Sequence, residues 1–461
     1  MKNYKTGFVL GISIISAMGG LLFGYDWVVI GGAKPFYERF FEITNSANLQ
    51  GWAMSSALIG CMIGALFSGA LSDRFGRKRL LILSGGLFIL SALGTGAANH
   101  MTPFIIYRIM GGIGIGMAST LSPMYIAEVA PAEARGKFVS INQLTIVIGI
   151  LAAQIVNWQI AQPVAEAATD LDILNSWNGQ TGWRWMFWAE IIPASIFFLL
   201  MFLIPESPRW LAKRGQWDKS KAILSKIGDT FFVNQAIAEI EGSLKDSTKK
   251  VDFKALFAPG MKKILIIGIV LAAFQQWCGI NVIFNYAEEV FSAAGYSVND
   301  IMMNIVITGS VNLVFCLVAM YFVDRIGRKP LLLIGAGGLA LIYGAMGLMF
   351  YLDVQGLPVL ILVVVAIAVY SMSLAPVVWV VLSEIFPNKI RGAAMAIGTL
   401  SLWSACFILT YTFPLLNDGF GASGTFWVYG GICLLGFLFI LKKLPETRQK
   451  SLEQIEKELM A

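Results

Sequence analysis

Asp73-Arg74-Phe75-Gly76-Arg77-Lys78 returns as Asp324-Arg325-Ile326-Gly327-Arg328-Lys329, a charged turn with apolar sequence on both sides of each copy. Two further echoes keep the same order. Glu128, Pro131, Arg135 and Gly136 return as Glu384, Pro387, Arg391 and Gly392, and Pro205-Glu206-Ser207 returns as Pro445-Glu446-Thr447. Three pairs at similar spacing, each following a matching apolar run, indicate a duplicated unit.

Outward from these turns, apolar runs cover 8–32, 52–71, 80–98, 103–127, 138–160 and 183–204. A polar stretch, 205–262, separates them from six more at 264–291, 301–323, 331–352, 357–382, 393–416 and 426–441. A helix needs about 20 apolar residues to cross a bilayer, so each run is close to one span. Composition agrees: of 461 residues, 57% are hydrophobic and only 13% charged, where soluble domains carry about 25% charged residues. With a mean hydropathy of +0.71, a water-soluble globule is excluded. The first run is too long for a signal-peptide core and lacks a small-residue cleavage site, so it reads as a retained span. The expected fold class is an all-α membrane protein, with twelve transmembrane helices in two pseudo-symmetric six-helix bundles. The expected divisions are an N-terminal bundle over 1–204, a cytoplasmic linker over 205–262, a C-terminal bundle over 263–445 and a cytoplasmic tail over 446–461. Helical patches in the linker are expected at 217–227 and 236–244.

Threading twelve spans from an inside N-terminus leaves Lys34, Arg39 and Arg184 outside and Arg108 within a span. The other lysines and arginines, out of 34 in all, fall on the inner side. By the positive-inside rule this predicts both termini in the cytoplasm, and it accounts for the net charge of +6 without nucleic acid. His100 is the single histidine, so no histidine-built metal or catalytic cluster is expected. The five cysteines lie in apolar runs and read as small core residues, not a disulfide framework. No Gly-x4-Gly-Lys-Ser/Thr phosphate loop occurs, so no nucleotide is expected. Gly111-Gly112-Ile113-Gly114-Ile115-Gly116 lies inside a span, where close helix packing explains it better than a dinucleotide. No cofactor, metal or enzymatic activity is expected.

Internal repeats of this kind mark transporters whose site lies between the halves. The motifs Asp73-Arg74-x-Gly76-Arg77-Lys78, Pro205-Glu206-Ser207-Pro208-Arg209 and Pro445-Glu446-Thr447 resemble those of the sugar porters of the major facilitator superfamily. The likeness covers nearly the whole chain and leans towards the bacterial xylose–proton symporters.

Charges within apolar runs are costly at membrane depth and point to function. At 1.5 Å per helical residue, Asp26, Arg108 and Glu190 all lie roughly 8–10 Å below the outer surface. An aspartate and an arginine at one depth can pair and offset each other's desolvation. The resemblance implies that spans one and four touch, and that an acid at Asp26 belongs to the proton-coupled members. Asp26, Arg108 and Glu190 are therefore the expected proton-coupling residues; the plainer alternative for the first two is a static ion pair. One proton moving down about 100 mV releases about 2.3 kcal/mol, enough for roughly 50-fold accumulation.

A sugar needs partners that both donate and accept, as amides do, and flat apolar surfaces for its C–H faces. Gln275 and Asn281, six residues apart, would point differently on an unbroken helix. Gly279 between them would let the helix loosen, as discontinuous transporter helices do. By resemblance, Phe23, Gln143, Gln275, Gln276, Asn281, Asn312, Trp379 and Trp403 match sugar-contacting positions, with Trp379 near Pro376 in a segment like the family's mobile tenth span. Ile150 and Leu402 stand where the family tends to a polar residue, and Asn285 where it has tyrosine; these changes bear on which sugar fits.

The resemblance also implies an inner layer of salt bridges holding the outward-facing state. Its members would be Asp73, Arg74, Arg77, Glu128, Arg135, Glu206, Arg209, Asp324, Arg325, Arg328, Glu384, Arg391 and Glu446. The plain alternative is solvated charges obeying the positive-inside bias. The expectation is a monomeric, multi-pass inner-membrane carrier that takes a monosaccharide inward with a proton by alternating access. D-xylose is slightly favoured over glucose or another hexose. A proton-independent uniporter is the second transport reading, and a membrane sugar sensor the reading of another class.

Overall fold

A computed structural model describes residues 4–165, 168–247, 259–386, 391–448, 450 and 454, with some side chains inside that range left out. The described residues form helices and no strands; one isolated bridge pairs Tyr4 with Gly228. The first half holds α1 (Thr6–Phe40), α2 (Ala47–Phe75), α3 (Arg77–Ala97), α4 (Met101–Val129) and α5 (Arg135–Ile160). After the short α6 (Asp170–Asn175), the sixth crossing is built in pieces: a wide turn at Asn178–Gly182, then α7 (Trp183–Trp188) and α8 (Ile191–Leu200).

The linker carries α9 (Pro208–Lys213), α10 (Trp217–Ile227) and α11 (Thr230–Ser247). The first expected patch matches α10, whereas the second belongs to a helix that starts six residues sooner. The side chain of Asp229 accepts from the backbone N–H of Phe232, which caps the earlier start.

The second half runs through α12 (Pro259–Trp277), α13 (Ile280–Asn285), α14 (Ala287–Ala293), α15 (Val298–Ile326), α16 (Arg328–Tyr351), α17 (Leu357–Met372), α18 (Leu374–Ile385) and α19 (Arg391–Lys443). Eleven helical stretches among the described residues are long and apolar enough to cross a membrane. The last, α19, bends at Gly421 (φ 64°) and so contains the eleventh and twelfth expected runs.

The repeated charged turn has one conformation in both copies. Gly76 (φ 100°) ends α2 and starts α3, and Gly327 (φ 105°) does the same between α15 and α16. A positive φ of this size is strained for any residue with a Cβ, which explains why each motif carries glycine there. We call the end of the molecule bearing these turns the motif end, and the other the far end.

Within the first half α1 packs on α5 and α4, and α2 on α4; in the second half α16 packs on α19. The halves meet where α2 lies on α19 and α5 on α15. The intra-half contacts are close. A methyl at Gly24 would strike the Ile146 carbonyl and one at Gly149 the Leu21 carbonyl, while Gly60 faces the Ile109 carbonyl and Gly112 that of Ala57. Small residues allow such backbone approach in membrane bundles. Outward-facing leucines complete the pattern: Leu341 is 79% exposed and Leu203 75%, which suits lipid and not water.

Candidate functional site

Asp26 on α1 and Arg108 on α4 form a buried ion pair through Arg108 Nη1, and a second Arg108 nitrogen, Nη2, lies 3.4 Å from the Asp26 main-chain carbonyl. Both side chains are almost fully enclosed. The pairing is incomplete, because Asp26 Oδ2 and Arg108 Nε have no hydrogen-bond partner. The Arg108 guanidinium also sits 5.8 Å from the centre of the Phe187 ring. Glu190, at the break between α7 and α8, is buried with Oε1 unpartnered. It is near enough to Asp26 and Arg108 to interact with both electrostatically, and no hydrogen bond joins it to either. The three expected residues are therefore neighbours, two of them bonded.

The break expected at Gly279 is present: α12 stops at Trp277, Gly279 takes φ 85°, and α13 begins at Ile280. Across it the Asn281 amide donates to Gln276 Oε1 and faces Cys406 Sγ at 3.6 Å. Gln275 turns the other way, donating to the carbonyls of Leu374 (3.2 Å) and Ala375 (3.1 Å) at the start of α18. Two broken helices thus lean on one another, since α17 gives way to α18 at Ser373. Asn312 accepts from Ser371 at 2.6 Å. Gln275 Oε1 and Asn285 Oδ1 are buried acceptors without a partner, an arrangement that folded proteins rarely leave unanswered.

An aromatic cluster spans the halves. Phe23 lies 5.8 Å from Trp403 between ring centres, and Trp27, one turn on from Phe23, lies 5.9 Å from Trp403 and 6.1 Å from Phe23. Trp27 was not among the expected site residues, although its spacing of four from Phe23 places both on one helical face. Gln143 is half-buried on α5, and Trp379 is exposed on α18, without a ring contact to the aromatic cluster. Ile150 is half-buried and Leu402 buried, each apolar where an amide would offer hydrogen bonds.

At the motif end the charges pair within each half. Arg77 grips Glu128 with two bonds of 3.0 Å and reaches Asp73 at 3.0 Å. Glu206 Oε1 accepts from the backbone N–H groups of Arg77, Lys78 and Ser207 at 2.8–3.1 Å. In the second half Arg328 reaches Glu384 at 3.2 Å, and Glu446 accepts from the N–H groups of Arg328, Lys329 and Arg448 at 2.8–3.1 Å. Lys213, outside the expected set, binds Asp73 at 2.8 Å. Arg74 lies over the Phe75 ring and Arg325 over Tyr321, while Arg135 and Arg209 are exposed beside one cavity with Glu128. The side chains of Asp324 and Arg391 lie outside the described residues.

The ion pairs described between the halves are at the far end instead, with hydrogen bonds beside them. Lys34 of α1 binds Glu289 at 2.5 Å and Glu288 at 3.5 Å on α14. Asn299 of α15 exchanges two hydrogen bonds with the Val164 backbone, and Tyr411 of α19 donates to Asn48. Gly31 lies against the Phe284 and Asn285 carbonyls. These contacts hold the two halves together at the far end.

A repeated, twelve-crossing helical fold with a buried acid–arginine pair, broken helices and unpartnered amides between its halves defines a membrane carrier. The chain belongs to the Sugar (and other) transporter family, whose profile matches residues 12–459. It is 40% identical to the D-xylose-proton symporter of Escherichia coli (strain K12), over 98% of this chain and 96% of that one. It is 41% identical to the glucose transport protein of Synechocystis sp., over 97% of each. Among solved structures, the inward open conformation of the xylose transporter XylE from E. coli superposes with a TM-score of 0.85, at 38% identity, over 98% of this chain and 99% of that one.

Proposed function

We propose that the chain carries a monosaccharide, D-xylose in preference, into the cell together with a proton. The observation that carries this reading is the Asp26–Arg108 pair, fully enclosed yet with an oxygen and a nitrogen left unpartnered. A proton arriving at Asp26 removes the charge that holds Arg108. Burial and a nearby cation pull a carboxyl in opposite directions, so a small rearrangement of α1 against α4 shifts the balance. Glu190 stands beside the pair as the neighbouring acid.

The sugar site is the space between Gln276, Asn281, Phe23, Trp27 and Trp403. Gln275 and Asn285 offer free acceptors to its hydroxyls, and Asn312 with Ser371 supplies a further polar edge. Trp379 and Gln143 close on the sugar when the halves rock. Phe23 and Trp403 belong to opposite halves, so their contact responds directly to rocking about a central site. The motif end is the cytoplasmic one, both termini lie inside, and the carrier works as a monomer in the inner membrane. The 1–204 and 263–445 bundles move against each other, each braced at its inner end by its own charges, as Arg77 with Glu128 and Arg328 with Glu384.

Similarity to the D-xylose-proton symporter supports the pentose. Similarity to a glucose transport protein, at 41% identity, supports the second reading, a hexose. Uptake into proteoliposomes, with a panel of competing monosaccharides and an imposed proton gradient, tests both. D-xylose should accumulate roughly 50-fold at about 100 mV and compete better than glucose. Asp26→Asn should exchange sugar without concentrating it. Sugar entry that neither moves protons nor builds a gradient would make the chain a uniporter.

A further inference from the structure

Four charged groups are gathered where α1 meets α14, beyond the apolar run of the first span. Lys34 is enclosed, with 2% of its side chain exposed, and its ammonium lies within 3.0 Å of Glu38, 3.5 Å of Glu288 and 2.5 Å of Glu289. Arg39 gives partial compensation, being shared between Glu288 at 3.5 Å and Asp170 of α6 at 2.8 Å. Two cations therefore face four carboxylates, of which Asp170 is largely exposed.

Among the described residues, the remaining neighbours supply no positive charge. Tyr37 of α1 is buried with its hydroxyl unpartnered. Tyr286 has its ring 5.7 Å from Lys34 and donates a hydrogen bond from its hydroxyl to the Thr410 carbonyl. Gln50 of α2 donates to Glu38 at 3.3 Å. Asp418 of α19 lines the same cavity, of about 470 Å³, and adds another negative group. Phenols ordinarily ionise near pH 10, so both tyrosines stay neutral at physiological pH.

An excess of carboxylates in one shielded site disfavours ionisation of all of them at once, because like charges at that range oppose one another. The structure marks where a proton would sit. Glu38 is 3% exposed and its Oε1 has no partner; Glu289 Oε2 is likewise unpartnered. We propose that Lys34, Glu38, Glu288 and Glu289 form a second proton-binding site, a latch that joins the outer ends of the two halves and takes up a proton from the outer solution as it closes. Parting α14 from α1 hydrates the carboxylates and returns that proton to the same side. The latch therefore does not drive accumulation. It makes the outward-to-inward equilibrium depend on external pH, separately from Asp26.

This inference rests on the alternating-access reading but not on symport, since its readout needs no sugar uptake. Spin labels at Leu49→Cys and Leu357→Cys, exposed positions at the far ends of α2 and α17, report opening by pulsed distance measurement in nanodiscs. An Asp26→Asn background removes the central carboxylate. In that background the closed-to-open ratio should rise between pH 8 and pH 6, by up to about tenfold per pH unit for one linked proton. Glu38→Gln with Glu289→Gln should stay closed with less than about a twofold change over the range. Lys34→Met should be mainly open at pH 8 and close again at pH 6, whereas Lys34→Arg should behave as the parent. An unchanged pH response in the double glutamine variant, or no response in the parent, would overturn the latch. If Lys34→Met does not purify, the double variant decides alone, because it keeps the lysine.

Discussion

The two ends of the molecule use charge in opposite ways. At the motif end every ion pair described joins residues of one half or its adjoining linker, and the arrangement occurs twice, as Arg77 with Glu128 and as Arg328 with Glu384. At the far end Lys34 reaches across to Glu288 and Glu289, and no second copy of that cluster is seen among the described residues. Duplication preserved the braces that keep each half rigid. The crossing ion pairs lie in one place, where two halves with different sequences meet. A pair inside one rigid half survives rocking and contributes stability. A pair between halves exists in one state only and sets the balance between states.

Severing a brace and cutting a crossing pair should thus fail differently. Arg77→Met strands Glu128, whose side chain like that of Arg77 is 8% exposed, and should destabilise the protein by about 3–5 kcal/mol. An apparent Tm in detergent, measured with fluorescence or light scattering, would report it. Lys34→Met should lower the same Tm less, because opening lets water reach the stranded acids; an equal loss would erase the distinction between the two ends. A smaller effect is expected from Arg328→Met. Its pair with Glu384 is more open, at 14% and 23% exposure, so about 1–2 kcal/mol is expected, between the exposed and buried cases. Matching losses at Arg77 and Arg328 would mean that exposure does not separate the two braces.

The smallest effect concerns Glu206, in the link after α8. Burial pushes its carboxyl above the ordinary 4.5 even though three backbone N–H groups pull the other way. The folded protein then holds that proton more tightly than the unfolded chain. Its contribution is complete below pH 4.5 and fades as pH rises through the raised value. Glu206→Gln keeps an acceptor oxygen and cannot ionise, so the wild-type Tm should fall slightly more than the variant's across that window. Parallel Tm curves would remove Glu206 as a source of pH dependence.

Much of this architecture is legible in the amino-acid sequence. Apolar runs and the repeated turns carry the twelve crossings because lipid forces each span to satisfy its own backbone. Equal depth allowed an Asp26–Arg108 pair and the resemblance implied that their spans touch, while Gly279 allowed the break in the seventh crossing. The sequence did not reveal that Gln275 would face the α17–α18 break while Gln276 bonds Asn281, since neighbouring residues on a helix diverge by about 100° and only tertiary contact selects between them. For Trp27 the one local signal is its spacing of four from Phe23, and only contact with Trp403 shows that this face meets the other half. Lys34 read as an ordinary outer-loop charge. Its role depends on Glu288 and Glu289, more than 250 positions away, and no local pattern links them.

The seams at Gly24 with Gly149 and Gly60 with Gly112 carry a practical consequence for genetics. Any side chain added there must push whole backbones apart, so such alleles should be lost during insertion and quality control, before carbohydrate is ever met. A growth screen for null mutants would therefore collect glycine hits far from the cargo, and protein abundance has to be measured before any of them is counted as a transport defect.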